Sequence, residues 1–318
     1  MPPQARVPGS PVLALDVGGT KLAAAVVGQD GLLLSQARTP TPVTRDADEL
    51  FGTLEQLARR VMARPGSSVV AIGVGCGGPM RYPEGVVSPL NIPAWRQFPL
   101  GQRLGEAFGL PWTVDNDAKA LVLGERWQGA GRGSNNLLAM VVSTGVGAGV
   151  VLNGRLLHGQ HGNAGHIGHV IVWPDGPVCG CGARGCLEAV ASGTGLARRL
   201  AAAQADGAHT DLPRGAGAAE MAAAARAGDR LATELFHTAG RAVGRGIASA
   251  AALFDLQRVV VGGGIALGAW DLLGPSLETE LRGSARLDFT RDVSVGLAEL
   301  GETGGLYGAA VLAFEARP

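Results

Sequence analysis

The sequence predicts an α/β chain in two lobes, each built on a mixed sheet with helices, the two facing one cleft. An internal repeat is the first reason. Residues 12–33 read VLALDVGGTKLAAAVVGQDGLL, and residues 138–157 read LAMVVSTGVGAGVVLNGRLL. Each copy is an apolar run, a turn of small residues, a second apolar run and a Gly-bearing turn. At one common offset Gly19 falls on Gly145 and Gly28 on Gly154. That is the pattern of a β-hairpin. The second reason is a strand–strand–strand–helix order that recurs in both halves. The third is a set of Gly-rich turns after strands, which expose backbone N–H groups and let a phosphate come close. The competing reading is a pair of ordinary hairpins in a parallel-sheet enzyme.

Taken in order, residues 1–10 are a polar, Pro-bearing lead. Strands are predicted over 12–15, 22–27, 32–37, 69–74 and 112–114. One helix runs from an N-cap at Asp46 to Met62, a second covers 100–108, and a third opens near Asn116. In the second half, strands are predicted over 137–142, 149–152 and 259–261. The Ala-rich stretch 196–227 reads as helices around a loose polar loop at 207–217. A long helix fits 229–254, with Leu231, Leu235, Ala239, Val243 and Ile247 at helical spacing, and 304–314 closes the chain. The expected division is a small lobe, 1–121, joined by the C-terminal segment 304–318, and a large lobe, 122–303.

At 318 residues, 46% hydrophobic and 17% charged, the chain has length for two domains and ample apolar material. Lys+Arg and Asp+Glu are 27 each, so charge gives no reason to expect a nucleic-acid partner. The longest apolar runs are interrupted by Asp16, Lys21 and Asp255, which argues against a membrane span. No targeting segment is seen, and a cytoplasmic protein is expected.

Three kinds of motif carry chemistry: Gly-rich turns, a run of polar residues at a strand-to-helix junction and a Cys/His cluster. Asp16-Val17-Gly18-Gly19-Thr20-Lys21 lies in the first hairpin turn. A strand follows its glycines and the P-loop spacing is missing, so it is neither a dinucleotide fingerprint nor a P-loop. A carboxylate there can hold Mg²⁺ through water, while Thr20 donates a hydroxyl and Lys21 offsets phosphate charge. The alternative is a solvated turn. Ser143-Thr144-Gly145 and Gly262-Gly263-Gly264 supply two further Gly-rich turns, the latter also readable as a tight strand-to-helix turn. Asp115-Asn116-Asp117 sits between a strand and a helix, where one residue can cap the helix while another acts as base toward a hydroxyl. His169, Cys179, Cys181 and Cys186 give H-x9-C-x-C-x4-C, the donor set of a closed structural Zn²⁺ site; buried thiols or a redox pair are the alternatives. Cys76 reads as a core thiol.

Together these residues resemble the ROK family of sugar kinases and sugar-responsive repressors, particularly its bacterial glucokinase-like members. LDVGGTK at 15–21, GPM at 78–80, LNIPAW at 90–95, VDNDA at 114–118, STGVGAG at 143–149, AGHIGH at 164–169, CGCGARGCLE at 179–188 and VVVGGGI at 259–265 carry the resemblance. It implies an actin- and hexokinase-like (ribonuclease H-like) fold that closes on its sugar. It implies ATP-dependent phosphorylation of the 6-hydroxyl of glucose, with Asp117 as base. Asn91, Asn116, His169 and Glu188 would contact sugar hydroxyls, His169 serving zinc as well. Asp16, Gly18, Gly19, Thr20, Lys21, Thr144 and Gly145 would meet phosphate or Mg²⁺, and Gly262 and Gly263 adenosine. A homodimer or tetramer is implied.

Two positions depart from the family pattern. His166 stands where the family carries Glu; it either binds sugar with altered preference or has left the sugar shell. Lys119 stands where Asn is common; it either projects to solvent or lowers the Asp117 pKa. The alternatives in function are an N-acetylhexosamine kinase, a fructokinase or a non-catalytic sugar-sensing regulator. About ten residues precede the first hairpin, too few for the helix-turn-helix domain of the repressors.

Overall fold

The computed structural model describes residues 9–64 and 68–315. Most of the polar lead and the last three residues of the expected C-terminal segment lie outside them. The described chain forms two compact units. The first comprises residues up to Gly133, Leu156–Ala164, and the chain from Glu299 onward; the second comprises Ser134–Arg155 and Gly165–Ala298. The division drawn from sequence at 121 falls inside a helix.

The first unit opens with β1 (Val12–Val17), β2 (Lys21–Val27) and β3 (Leu33–Pro40), an antiparallel meander. Next come α1 (Ala47–Met62), β4 (Ile72–Cys76), the small pair β5 (Met80–Arg81) and β6 (Val86–Val87), α2 (Leu100–Phe108), β7 (Trp112–Asn116) and α3 (Asp117–Gln128). β4 and β7 join parallel to β1, giving the order β3-β2-β1-β4-β7. The second unit repeats this plan with β8 (Leu137–Val142), β9 (Val146–Leu152) and β10 (Arg155–Leu156). It continues through α4 (Leu187–Ala191), α5 (Gly193–Ala205), α6 (Ala218–Arg226), α7 (Arg230–Phe254), β11 (Arg258–Gly262), α8 (Gly264–Gly268), α9 (Trp270–Ser284), α10 (Asp288–Arg291) and β12 (Ser294–Leu297). Its sheet runs β10-β9-β8-β11-β12, the same connectivity as the first. α11 (Gly304–Glu315) returns to the first unit.

Local chemistry explains the elements that the sequence foretold. Asp46 caps α1, accepting from the N–H groups of Asp48 and Glu49 at 2.8 and 3.3 Å. Asp229 does the same for α7, accepting from Ala232 at 2.8 Å. The strand expected at 69–74 starts later, at Ile72, because pairing with β1 begins at Leu13 opposite Ile72. α9 and β12 were not foreseen. Pro275 lies inside α9 and hides it, since proline removes a helix donor. β12 is short and only half-buried. Among the described residues no helix is long and apolar enough to cross a membrane.

The first sheet is covered on both faces. Leu13, Leu15 and Val17 pack with Leu50, Leu54 and Leu104, while Val12, Ala14 and Ala25 pack with Leu306, Ala309 and Ala313 of α11. Helix α11 lies close because three glycines face it or belong to it. A Cβ at Gly73 would strike the Ala309 carbonyl, one at Gly124 the Gly304 carbonyl, and one at Gly308 the Ala120 carbonyl. Backbone cannot yield as a side chain can, so Gly308→Ala is expected to lower stability by about 3 kcal/mol. Chemical denaturation would read it. This contact fixes α3 and β4, whose ends carry the candidate site.

Candidate active site

Strand β1 ends at Asp16 and Val17, and the turn that follows is held from two sides. The Gly18 N–H donates to the Lys21 carbonyl at 3.0 Å, and Thr41 Oγ1 donates to the Gly18 carbonyl at 2.7 Å. Gly19 and Thr20 are exposed. Gly19 packs on exposed Asn91 so closely that an added Cβ would lie 2.6 Å from the Asn91 Cβ. Lys21 Nζ lies 3.0 Å from Glu302, which also pairs with Arg38. The lysine is therefore held near the turn by a partner that water can replace.

Strand alternation and the start of α3 separate the three polar residues at 115–117. Asp115 is fully buried. Asn116 caps the helix, its Oδ1 accepting from the Ala118 N–H at 3.0 Å. Asp117 is exposed, its Oδ1 also accepting from Ala118 at 2.8 Å. Gly77 and Gly78 leave room here, a Cβ on Gly77 standing 3.9 Å from Asp117 Oδ2 and one on Gly78 3.3 Å from Asn116 Nδ2. Burial and the nearby charge of Asp117 raise the Asp16 carboxyl to about 6, against the pull of Lys21. The two negative charges are close enough to raise one another's proton affinity, which a cation bound near them would relieve. Cys76 is buried, and burial holds its thiol well above the usual range.

In the second unit Glu188, near the start of α4, reaches the turn between β8 and β9. Its Oε2 accepts from the Val146 N–H at 2.9 Å and would lie 2.7 Å from a Cβ on Gly145. Thr144 of the same turn lines a cavity of about 560 Å³, together with Ser143, Gly193, Thr194, Gly264 and Arg226, among others. β11 ends at Gly262, and Gly263, immediately before α8, has φ +94 with no room for a side chain against Val142. Gly264, one residue on, is the glycine that lines the cavity.

The sulfur and nitrogen atoms of His169, Cys179, Cys181 and Cys186 all lie within 4.8 Å of one another. Cys181 Sγ is 3.7 Å from Cys186 Sγ, and Cys179 Sγ is 3.8 Å from His169 Nδ1. A tetrahedron with Zn–S bonds of about 2.3 Å has edges of about 3.8 Å, so the donor set fits zinc in kind and in size. Burial and the neighbouring thiols push the Cys186 thiol up to about 12, while hydrogen bonds with the Ala183 backbone and Cys179 lower that of Cys181. Since Nδ1 faces the cysteines, Nε2 of His169 points away from them. His166 is exposed and precedes the single turn Ile167–His169, its ring 6.3 Å from that of His169 with 18° between planes.

Residues 12–316 match the model of the ROK family. The chain belongs to the ROK family. It is 40% identical to the N-acetylmannosamine kinase of Shigella flexneri over 80% of this chain and 84% of that protein. The crystal structure of a ROK hexokinase from Thermus thermophilus superposes with a TM-score of 0.83 at 39% identity, covering 96% of this chain and 98% of that one. A ROK glucokinase from Streptomyces griseus, solved with glucose and AMPPNP, gives a TM-score of 0.79 at 33% identity, covering 96% of this chain and all of that one. The fold is that of the ROK hexokinases, an actin- and hexokinase-like α/β fold with duplicated mixed sheets.

Within this ROK chain each unit gathers part of the predicted site. Asp16, the 18–21 turn, Asn91, Asn116 and Asp117 belong to the first; Thr144, Gly145, His166, His169, Glu188, Gly262, Gly263 and the cysteines belong to the second. Sequence reasoning passed over Gly193, Thr194 and Arg226 because an Ala-rich helical stretch carries no chemical signature. Of the two readings of Lys119, projection to solvent is overturned: its side chain is 1% exposed and paired with Asp115.

The raised Asp16 carboxyl has a sign that can be tested. The folded chain holds this proton more tightly than the unfolded chain does. The stability that Asp16 contributes is therefore present in acid and lost as pH rises from 3.8 to about 6. Asp16→Asn mimics the protonated form. Without nucleotide it is expected to melt a few degrees above wild type at pH 7 and level with it at pH 4. Calorimetry at both pH values checks this.

Proposed function

We propose that this chain transfers the γ-phosphoryl group of Mg·ATP to the 6-hydroxyl of a hexose, glucose first, with Asp117 as general base. It is a sugar phosphotransferase of the ROK family. The observation that carries the reading is an exposed carboxylate, Asp117, at the start of a helix beside a second carboxylate, Asp16, at the end of β1. Phosphoryl transfer asks for little covalent help beyond a base, alignment and neutralised charge. Asp117 takes the proton of the acceptor hydroxyl as that oxygen attacks phosphorus. Asn91 and Asn116 in the first unit, and His169, Glu188 and His166 in the second, hold sugar hydroxyls.

Asp16 holds Mg²⁺ through water, and the ion neutralises phosphate charge when bound. Gly18, Gly19, Thr20, Lys21, Thr144 and Gly145 meet the phosphates, and Gly262 and Gly263 approach the adenosine. His169, Cys179, Cys181 and Cys186 hold a structural Zn²⁺ that orients the His169 ring. The protein works in the cytoplasm as a homodimer or tetramer, without a nucleic-acid or membrane partner.

One observation favours a second reading, an N-acetylhexosamine kinase. His166 replaces a carboxylate that accepts several hydrogen bonds with a ring that accepts one and donates one. The likeness to an N-acetylmannosamine kinase points the same way. ADP release across glucose, mannose, fructose, N-acetylglucosamine and N-acetylmannosamine separates the readings; no turnover on any of them would reject both. His166→Glu is expected to move the ratio of kcat/KM values toward glucose by about tenfold, or 1.4 kcal/mol. An unchanged ratio would put His166 outside the sugar shell.

A further inference from the structure

A sealed ion pair lies beneath the candidate base. Lys119 Nζ stands 3.1 Å from Asp115 Oδ1, with side-chain exposures of 1% and 0%. Two ions buried together add little stability over apolar groups of the same volume. Their hydrogen bonds give this pair a different use. Asp115 Oδ1 accepts from the Asn116 N–H at 2.7 Å, which ties the pair to the residues at the end of β7. Lys119 donates to the Gly162 carbonyl at 2.8 Å, which ties it to a loop distant in sequence.

That loop is held at other points as well. Asp115 Oδ2 and His158 Nδ1 approach to 3.1 Å, a close contact without hydrogen-bond alignment. The His158 ring stacks on Tyr82, with centroids 4.3 Å apart and planes at 14°. Gly162 presses on the Tyr82 Cβ so closely that no other residue fits there. The Ala164 N–H donates back to the His158 carbonyl at 3.0 Å, closing the loop on itself. The segment Leu156–Ala164 groups with the first unit, and the chain runs from it straight into Gly165 and His166 of the second.

We propose that Asp115 and Lys119 are positioning residues for sugar binding: one buried pair fixes both the Asn116–Asp117 step and the loop that leads into His166. The proposal rests on the sugar-kinase reading above, which makes these segments sugar contacts. A displacement of about 1 Å in such contacts can cost as much as a hundredfold in rate.

The test uses the full chain. Lys119→Met strands the Asp115 charge and is expected to lower Tm by about 5 °C or more. The double variant Lys119→Met with Asp115→Asn is neutral, and its Tm is expected to return to within about 2 °C of wild type. Its sugar KM should nonetheless stay at least about tenfold raised, with the KM for Mg·ATP within about twofold of wild type. A sugar KM that recovers along with Tm would mean that the pair only fills space, and the proposal falls. Should the double variant not fold, Tyr82→Leu loosens the loop from its half-buried side. A sugar KM about threefold higher is then expected, and an unchanged one overturns the proposal. Wild-type turnover keeps the two levels apart: a wild type that turns over no sugar rejects the kinase reading itself, whereas an active wild type with a recovered double variant rejects only the positioning role.

Discussion

Asp117→Asn is expected to lower kcat by about a thousandfold while sugar affinity stays within about threefold of wild type. The substitution is nearly isosteric. Asparagine keeps an oxygen that can accept from the Ala118 N–H, the bond Asp117 makes at 2.8 Å, so the start of α3 should not move. It cannot take a proton from a hydroxyl near neutral pH. What remains is alignment and charge neutralisation by the other groups, which in phosphoryl transfer is a substantial residue of rate. A second consequence follows from the neighbouring carboxylate. Loss of the Asp117 charge removes one of the two causes that raise Asp16 to about 6. The variant should therefore lose less stability between acid and neutral pH than wild type does. Single-turnover kinetics, calorimetric sugar titration and melting curves at pH 4 and 7 read the three effects. A kcat within tenfold of wild type would reject Asp117 as base.

The candidate base could be picked out in the sequence, but which neighbour caps the helix and which is buried could not. Three consecutive polar residues at a strand-to-helix junction are a local signal, and a cap and a base were both open to them. The choice among them depends on the phase of strand and helix. That phase buries Asp115, turns Asn116 onto the helix N–H groups and exposes Asp117. The hairpin repeat was equally legible, because the β8–β9 turn copies the β1–β2 turn in sequence and both sheets share one strand order. Lys119 shows where local reading ends. Its partner Asp115 is four residues away, at the end of β7, but what makes burial tolerable is the Gly162 carbonyl, 43 residues distant. The same non-local contacts draw Leu156–Ala164 into the first unit, which no division by sequence order would produce. α9 was lost for a simpler reason, the proline inside it.

The cysteine cluster leads to the second large effect. Cys181→Ala is expected to abolish bound zinc and to weaken sugar affinity at least about tenfold, with Mg·ATP affinity changed less than about twofold. Cys181 is the cleanest position for the experiment because it is exposed, so alanine there leaves no cavity to confuse the outcome. Two sugar-contact candidates depend on the cluster at once. His169 presents Nδ1 to Cys179, which would fix its ring and leave Nε2 for a hydroxyl. Cys186 stands immediately before Leu187 and Glu188 at the start of α4, and the Leu187 N–H donates to the Val170 carbonyl at 2.9 Å. Glu188 then closes on the Val146 N–H at 2.9 Å. Zinc would bind thiolates and a neutral imidazole, so removing one of the four donors weakens the bonds that would hold the other three together. The loops bearing His169 and Glu188 should loosen together, while Asp16 and the 18–21 turn, in the other unit, keep their contacts. Metal analysis of the purified chain, with sugar and nucleotide titrations of both forms, decides it. A wild-type protein that is free of metal and binds sugar normally would reject zinc, and equal losses toward sugar and nucleotide would point to general unfolding instead.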